Sequence, residues 1–245
     1  MASKGRALRV ISLTILGLFA YLPSAGAQRL SGDRIEALVA RQLPGAFETY
    51  RELLSLPNDA HFPEDILELL SWLEHAFERR AFATTLLPTG GSPVLLAERS
   101  FPRTDRTVLI YLQADGQPVD LSAWNQESPY RPVLKESAGR GAWNAIPWGR
   151  LHEVWDPDWR IFARSASDSK GPIAQFLTAL DAMDEGGVTP DFNMKVIVDT
   201  EQTKMKKVID YFAAAEYDVA DILIEDPPIE EIITEIYKLK KALKI

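Results

Sequence analysis

The run VLIYLQADGQP, Val108 to Pro118, decides the fold. With Thr107 before it, the stretch to Leu112 is a short apolar, β-rich segment that stops abruptly at polar residues. A buried parallel strand reads this way where it leaves its sheet. Gln113 and Asp115 then stand at the carboxyl end of the strand, the edge of an open α/β sheet where ligands and reacting groups collect.

Toward the amino terminus, Ile35, Leu38, Val39, Leu43 and Phe47 recur at helical spacing, and Pro44 predicts one broken helix from Ser31 to about Leu54. A second helix is expected to open at Pro63-Glu64-Asp65 and to carry Leu67, Leu70, Leu73 and Phe77 on one side. Phe82 to Leu87 and Pro93 to Ala97, separated by Pro88-Thr89-Gly90-Gly91, read as paired strands. Toward the carboxyl terminus, a helix is expected from Gly171 through Phe176, Leu177, Leu180 and Met183 to Gly186-Gly187. A strand from Met194 to Asp199, a helix from Val208 to Ala215 and a strand from Ala220 to Ile224 follow. This alternation predicts an α/β fold with a mainly parallel, helix-covered sheet. Residues 229–245 place Ile229, Ile232, Ile233, Ile236, Leu239 and Leu243 on one helical face, with acids early and lysines late, as the helix dipole favours.

Residues 119–160 show little periodicity and hold Trp124, Trp143, Trp148, Trp155 and Trp159, five of the six tryptophans. Two readings stand side by side: ring faces that bind a sugar or peptide, and rings that pack a loop onto the body.

Lys4, Arg6 and Arg9 precede an apolar run from Val10 to Leu22 and then Ala25-Gly26-Ala27, the order of a cleaved signal peptide over residues 1–27. A run of this length is shorter than the roughly 20 residues a spanning helix needs, so no stable membrane anchor is expected. Export to the periplasm or extracellular space follows. Loss of the leader removes three positive charges and no acid, taking the formal charge from -8 to -11. So acidic a chain argues against nucleic acid as a partner. The absence of cysteine excludes disulfides, thiolate metal sites and a cysteine nucleophile.

Five segments, in order and at similar spacing, resemble the zinc metallopeptidase family of acetylornithine deacetylase, succinyl-diaminopimelate desuccinylase, carnosine dipeptidase and carboxypeptidase G. They are LPTGGSPVLLAE at 87–98, the loop from Trp124 to Pro132, LQADGQPVD at 112–120, RSASDSKGP at 164–172 and VDTEQT at 198–203. The resemblance implies a three-layer αβα catalytic domain over residues 28–228, incomplete relative to the family and without its lid domain. It also implies a two-zinc site at the strand ends that hydrolyses peptides or N-acyl amino acids. There the metals would polarise a carbonyl and acidify a bridging water while a glutamate moves the proton.

On this resemblance Asp168 matches the carboxylate that bridges the two metals, Asp226 a further metal-ligand aspartate, and Asp115 the acid that orients a metal-binding histidine. Gln113 stands in the place of that histidine, Gln202 in the place of the glutamate base and Thr203 in the place of the next metal-binding glutamate. An amide oxygen is a weak zinc ligand beside imidazole, and an amide is not a base. Glu201 is the alternative base if the register shifts by one. Asp168 also reads as a helix N-cap, in an Asp-Ser-Lys-Gly turn. His61, His75 and His152 form no helical metal-binding pair and read as surface or packing residues.

Three functions are therefore weighed. One is an exported, metal-dependent amidohydrolase with weakened ligands. Another is a non-catalytic, truncated relative that binds a peptide or protein partner. The third is an aromatic binding module built on residues 119–160. Oligomeric state is not legible in the sequence.

Overall fold

The computed structural model describes residues 30–102, 104–154 and 156–201. The leader expected over residues 1–27, Gln202, Thr203, the helix expected at 208–215, the strand expected at 220–224, Asp226 and the helix expected over 229–245 lie outside the described residues.

Helix α1 (Gly32–Ser55) is capped by Ser31, whose side chain accepts from the Arg34 N–H. The helix runs on through Pro44, contrary to the expected break. Proline removes one backbone donor, but α1 packs along α3 (Lys170–Glu185) and that packing holds the register. Leu38, Leu53 and Leu54 are buried, whereas Ile35 and Val39 face solvent. Helix α2 (Pro63–Glu78) starts at its proline, as expected, and buries Ile66, Leu69, Leu70, Leu73, Ala76 and Phe77. Leu67, expected on that face, is exposed.

Strands β1 (Ala83–Leu87) and β2 (Val94–Arg99) form the predicted antiparallel hairpin, closing at Leu87 opposite Val94. Strand β3 (Thr107–Gln113) runs parallel to β7 (Asn193–Asp199), and β7 is antiparallel to β2, giving the order β1-β2-β7-β3. The α/β class is thus realised in a mixed sheet. In its described part only the β3–β7 pair is parallel, because the hairpin reverses the chain before β3 begins.

One face of the sheet carries the main core. Leu95 and Ala97 of β2, Leu112 of β3, and Met194, Val196 and Val198 of β7 meet α2 and the Ile173, Leu177 and Leu180 row of α3. The alternate residues, Val94, Leu96 and Ile197, gather with Leu87 and Tyr111 on the opposite face. Strand β3 is less buried than its composition suggests: Leu112 is covered, but Val108 and Leu109 are exposed. Arg80, after α2, makes two hydrogen bonds of 2.7 and 2.6 Å to Asp181 of α3 and so ties the two helices on the core face.

Residues 119–160 contain regular structure that their lack of periodicity hid. Strands β4 (Val133–Gly139), β5 (Ala142–Ala145) and β6 (Arg160–Phe162) form a second, antiparallel sheet in the order β5-β4-β6. No described residue of β5 is buried, so no alternation could announce it. Trp143 packs edge-on against Phe162, with ring centroids 5.3 Å apart, and remains partly exposed. No described helix is long and apolar enough to cross a membrane.

Candidate functional site

The carboxyl ends of β3 and β7 lie side by side, with Gln113 in register with Asp199. Just beyond the pair, the Ala114 N–H donates to the Asp199 carbonyl at 2.7 Å, which extends the parallel ladder past the last strand residue. Asp199 is fully buried and its carboxylate is satisfied: Oδ2 accepts from the Tyr111 hydroxyl at 2.7 Å and Oδ1 from the Glu201 N–H at 3.1 Å. Burial pushes the Tyr111 phenol up from its ordinary value, and the hydrogen bond to Asp199 and the charges of Asp199 and Asp115 push the same way. The neighbouring Gln113 side chain acts in the opposite sense.

A second layer of contacts fixes the loop after β3. Asn58, fully buried, donates to the Ala114 carbonyl at 2.9 Å and lies 3.0 Å from the Ser165 hydroxyl. Gly116 passes so close to Asn58 that a Cβ there would lie 2.5 Å from its Oδ1, so the approach requires glycine. Asp59 forms an isolated parallel bridge with Gly116. Its buried carboxylate accepts from the His61 N–H at 3.0 Å and meets the His61 ring nitrogen Nδ1 at 2.7 Å. Burial alone would raise the Asp59 carboxyl, but the hydrogen bonds to His61 and the charges of His61 and Arg164 outweigh it and hold it below its ordinary value.

Asp115, half-buried, has its backbone carbonyl held by the Ser169 hydroxyl at 2.6 Å. Asp168 is exposed in the turn before α3, and the peptide bond that follows it is cis. Ser169, not Asp168, occupies the cap position, and no side chain caps the helix. Lys170, the first helical residue, is fully buried; its Nζ donates to the Leu56 carbonyl and lies 5.6 Å from the Tyr130 ring centroid. Burial pulls its pKa down to about 7. Glu201 points its carboxylate at the hairpin loop, where Oε2 accepts from the Ser92 N–H at 2.6 Å, and it lies against Gly91 with no room for a Cβ.

The strand ends thus gather Gln113, Asp115, Asp199 and Glu201 along one edge, tied to the Asp168 turn through Ser169. Among the described residues no three histidine, aspartate or glutamate side chains come together as a group that could hold a metal ion. His75 turns its Nδ1 to the Ser71 carbonyl within α2, and His152 faces Glu48 at 3.3 Å. Sequence reasoning did not assign Asn58, Asp59, Tyr111, Asp199 or Ser169. A polar residue inside an apolar strand, as Tyr111 is, and an acid at a strand end, as Asp199 is, were the available signals.

No protein-family model matches the chain, and no curated protein matches it. Solved structures do. An M20 family metallo-carboxypeptidase from Sulfolobus solfataricus is 25% identical, with a TM-score of 0.53 over 70% of this chain and 35% of that one. Human carnosine dipeptidase 1 is 19% identical, with a TM-score of 0.57 over 74% of this chain and 38% of that one. The dipeptidase Dug1p from Saccharomyces cerevisiae is 15% identical, with a TM-score of 0.55 over the same two shares. The chain spans little more than a third of the length of these neighbours.

Proposed function

Because the chain has the fold of the M20 metallopeptidases over part of their length, we propose that its strand ends are a metal-dependent peptidase or amidohydrolase site in which hydrolysis is impaired. One observation supports impairment above the others. Gln113, at the end of β3 beside Asp199, offers a neutral amide where the resemblance calls for an imidazole. A catalytic zinc ordinarily takes three protein ligands. The described donors do not fit that requirement: Asp168 stands exposed in its turn, and no three acidic or imidazole groups converge. Glu201, the alternative base, has its carboxylate engaged by a loop amide.

The substrate class under this reading is a peptide or N-acyl amino acid, and zinc is the metal. Export is part of the same proposal, supported by the leader-like order of residues 1–27. A non-catalytic relative that binds a peptide or partner without turnover is the second reading, favoured by the same substituted position at Gln113.

The test is metal analysis of the purified full chain after zinc loading, together with assays of N-acyl amino acid and dipeptide hydrolysis. Substoichiometric zinc and little or no turnover are expected. Stoichiometric zinc with brisk turnover that Asp168→Ala abolishes would overturn the claim of impairment and leave the peptidase reading standing.

A further inference from the structure

A cleft of about 520 Å3 opens between the carboxyl-terminal half of α1 and the segment that leads into β4. It is separate from the strand-end site, since none of Gln113, Asp115, Asp168, Asp199 and Glu201 lines it. Its size is that of small-molecule sites, which run from roughly 300 to 1,000 Å3. One wall is a single face of α1, where Glu48, Arg51, Glu52 and Ser55 follow one another at helical spacing. The other wall carries Tyr130, Arg131, Val133 and Trp148.

The Trp148 ring is set in place before any ligand arrives. Its Nε1–H donates to the Pro132 carbonyl at 3.2 Å, and the Arg51 guanidinium lies over its ring, 5.2 Å from the centroid. The side chain that shares the aromatic wall, Tyr130, has the Lys170 ammonium 5.6 Å from its ring centroid. A rigid indole face with a cation beside it supplies contact area at little entropic cost.

Charge selects the occupant. The walls hold two acids, Glu48 and Glu52, and two bases, Arg51 and Arg131. Arg131 is already paired with Glu127, and Arg51 reaches Glu48 only at 3.9 Å. The Glu52 carboxylate has no partner among the described residues. A simple anion or a simple cation would meet like charge on one side of this cleft. A molecule with an ammonium at one end and a carboxylate at the other meets opposite charge at both.

We propose that this cleft binds an unblocked short peptide of two or three residues, its carboxylate on Arg51, its ammonium on Glu52 and an apolar side chain against Trp148. The site operates without metal and without hydrolysis, so it stands or falls apart from the strand-end reading.

The test uses the full chain carrying Asp168→Ala, with a chelator present, so that binding at the strand ends is removed from the measurement. Leucyl-leucine is titrated by calorimetry and by intrinsic tryptophan fluorescence, and compared with its N-acetyl and C-terminal amide forms. Saturable binding is expected, with each blocked form weaker by about tenfold, the loss typical of one charge-assisted contact. Arg51→Met should weaken the free dipeptide by a similar factor and leave the amide form unchanged, while Glu52→Gln should spare only the N-acetyl form. Both positions are exposed on α1, and circular dichroism of each variant checks that it folds. No saturable binding, or affinities indifferent to blocking and to both substitutions, would overturn the proposal.

Discussion

The hydroxyl of Tyr111, in β3, donates to Oδ2 of Asp199, in β7, across 2.7 Å. This bond joins the two parallel strands at the end where the candidate site lies, and it satisfies one oxygen of a fully buried carboxylate. Removing the donor leaves that oxygen dry and unpaired, which costs more than the bond itself contributes. Tyr111→Phe should therefore lower unfolding free energy by about 1–3 kcal/mol, read from urea denaturation. Unchanged stability would mean that water or another donor replaces the phenol.

The loop that carries Asp115 depends on the closeness of Gly116 to Asn58. Asn58 has no room to retreat: it is fully buried and its amide is committed to Ala114 and Ser165. Gly116→Ala should cost about 2–4 kcal/mol, combining overpacking with broken buried hydrogen bonds. In an Asn58→Ala background the same change should cost less than about 1 kcal/mol, because the clashing atoms are gone. Additive losses in this cycle would show that the two residues do not clash.

Acid should act on the same loop through Asp59. Its carboxyl is held below the ordinary value of 3.8, so the stability it contributes is present above that value and is lost as pH falls through the lower, folded one. Burial works against this depression, and the hydrogen bonds and charge of His61, with the charge of Arg164, produce it. Asp59→Asn should thus flatten the acid limb of a stability-versus-pH curve below about pH 4, with a loss of about 1–3 kcal/mol at neutral pH. His61→Ala should flatten the limb in the same direction. An acid limb identical to wild type in both variants would remove Asp59 as its source.

The elements that position the site are legible because each carries its own local signal. Helix α2 begins at Pro63, the β1–β2 hairpin turns on the Pro88 to Gly91 run, and α3 stops at Gly186. Helix α1 shows the limit of such signals, since Pro44 marks a break that packing against α3 overrides. The second sheet was hidden for a different reason: β5 has four exposed residues and β6 only three, too few for a period to show. Motif resemblance singles out Gln113, Asp115 and Asp168 as expectations, but the contacts that hold the segments around them are not legible in the sequence. Asn58 and Ser165 are 107 positions apart and Tyr111 and Asp199 are 88 apart, and such pairings exist only after folding has joined distant segments.

The glutamine at position 113 makes the sharpest prediction about chemistry. A glutamine side chain brings a neutral oxygen to the end of β3, and zinc prefers imidazole nitrogen to an amide oxygen. Asp115 follows two residues later, and on the family resemblance it is the acid that orients a metal-binding histidine at this place. On that resemblance, Gln113→His would supply a ring for Asp115 to orient, fixing its tautomer and raising its basicity. Zinc affinity, measured by calorimetry or by competition with a chromophoric chelator, should rise at least about tenfold over wild type. Asp115→Asn in that background should take back about tenfold or more, the usual effect of losing an orienting partner, and Asp168→Ala should lower affinity as a lost ligand does. If Gln113→His binds zinc no better than wild type, the position is not a ligand position in this chain. If it binds better and Asp115→Asn has no effect, the new imidazole is oriented by another group.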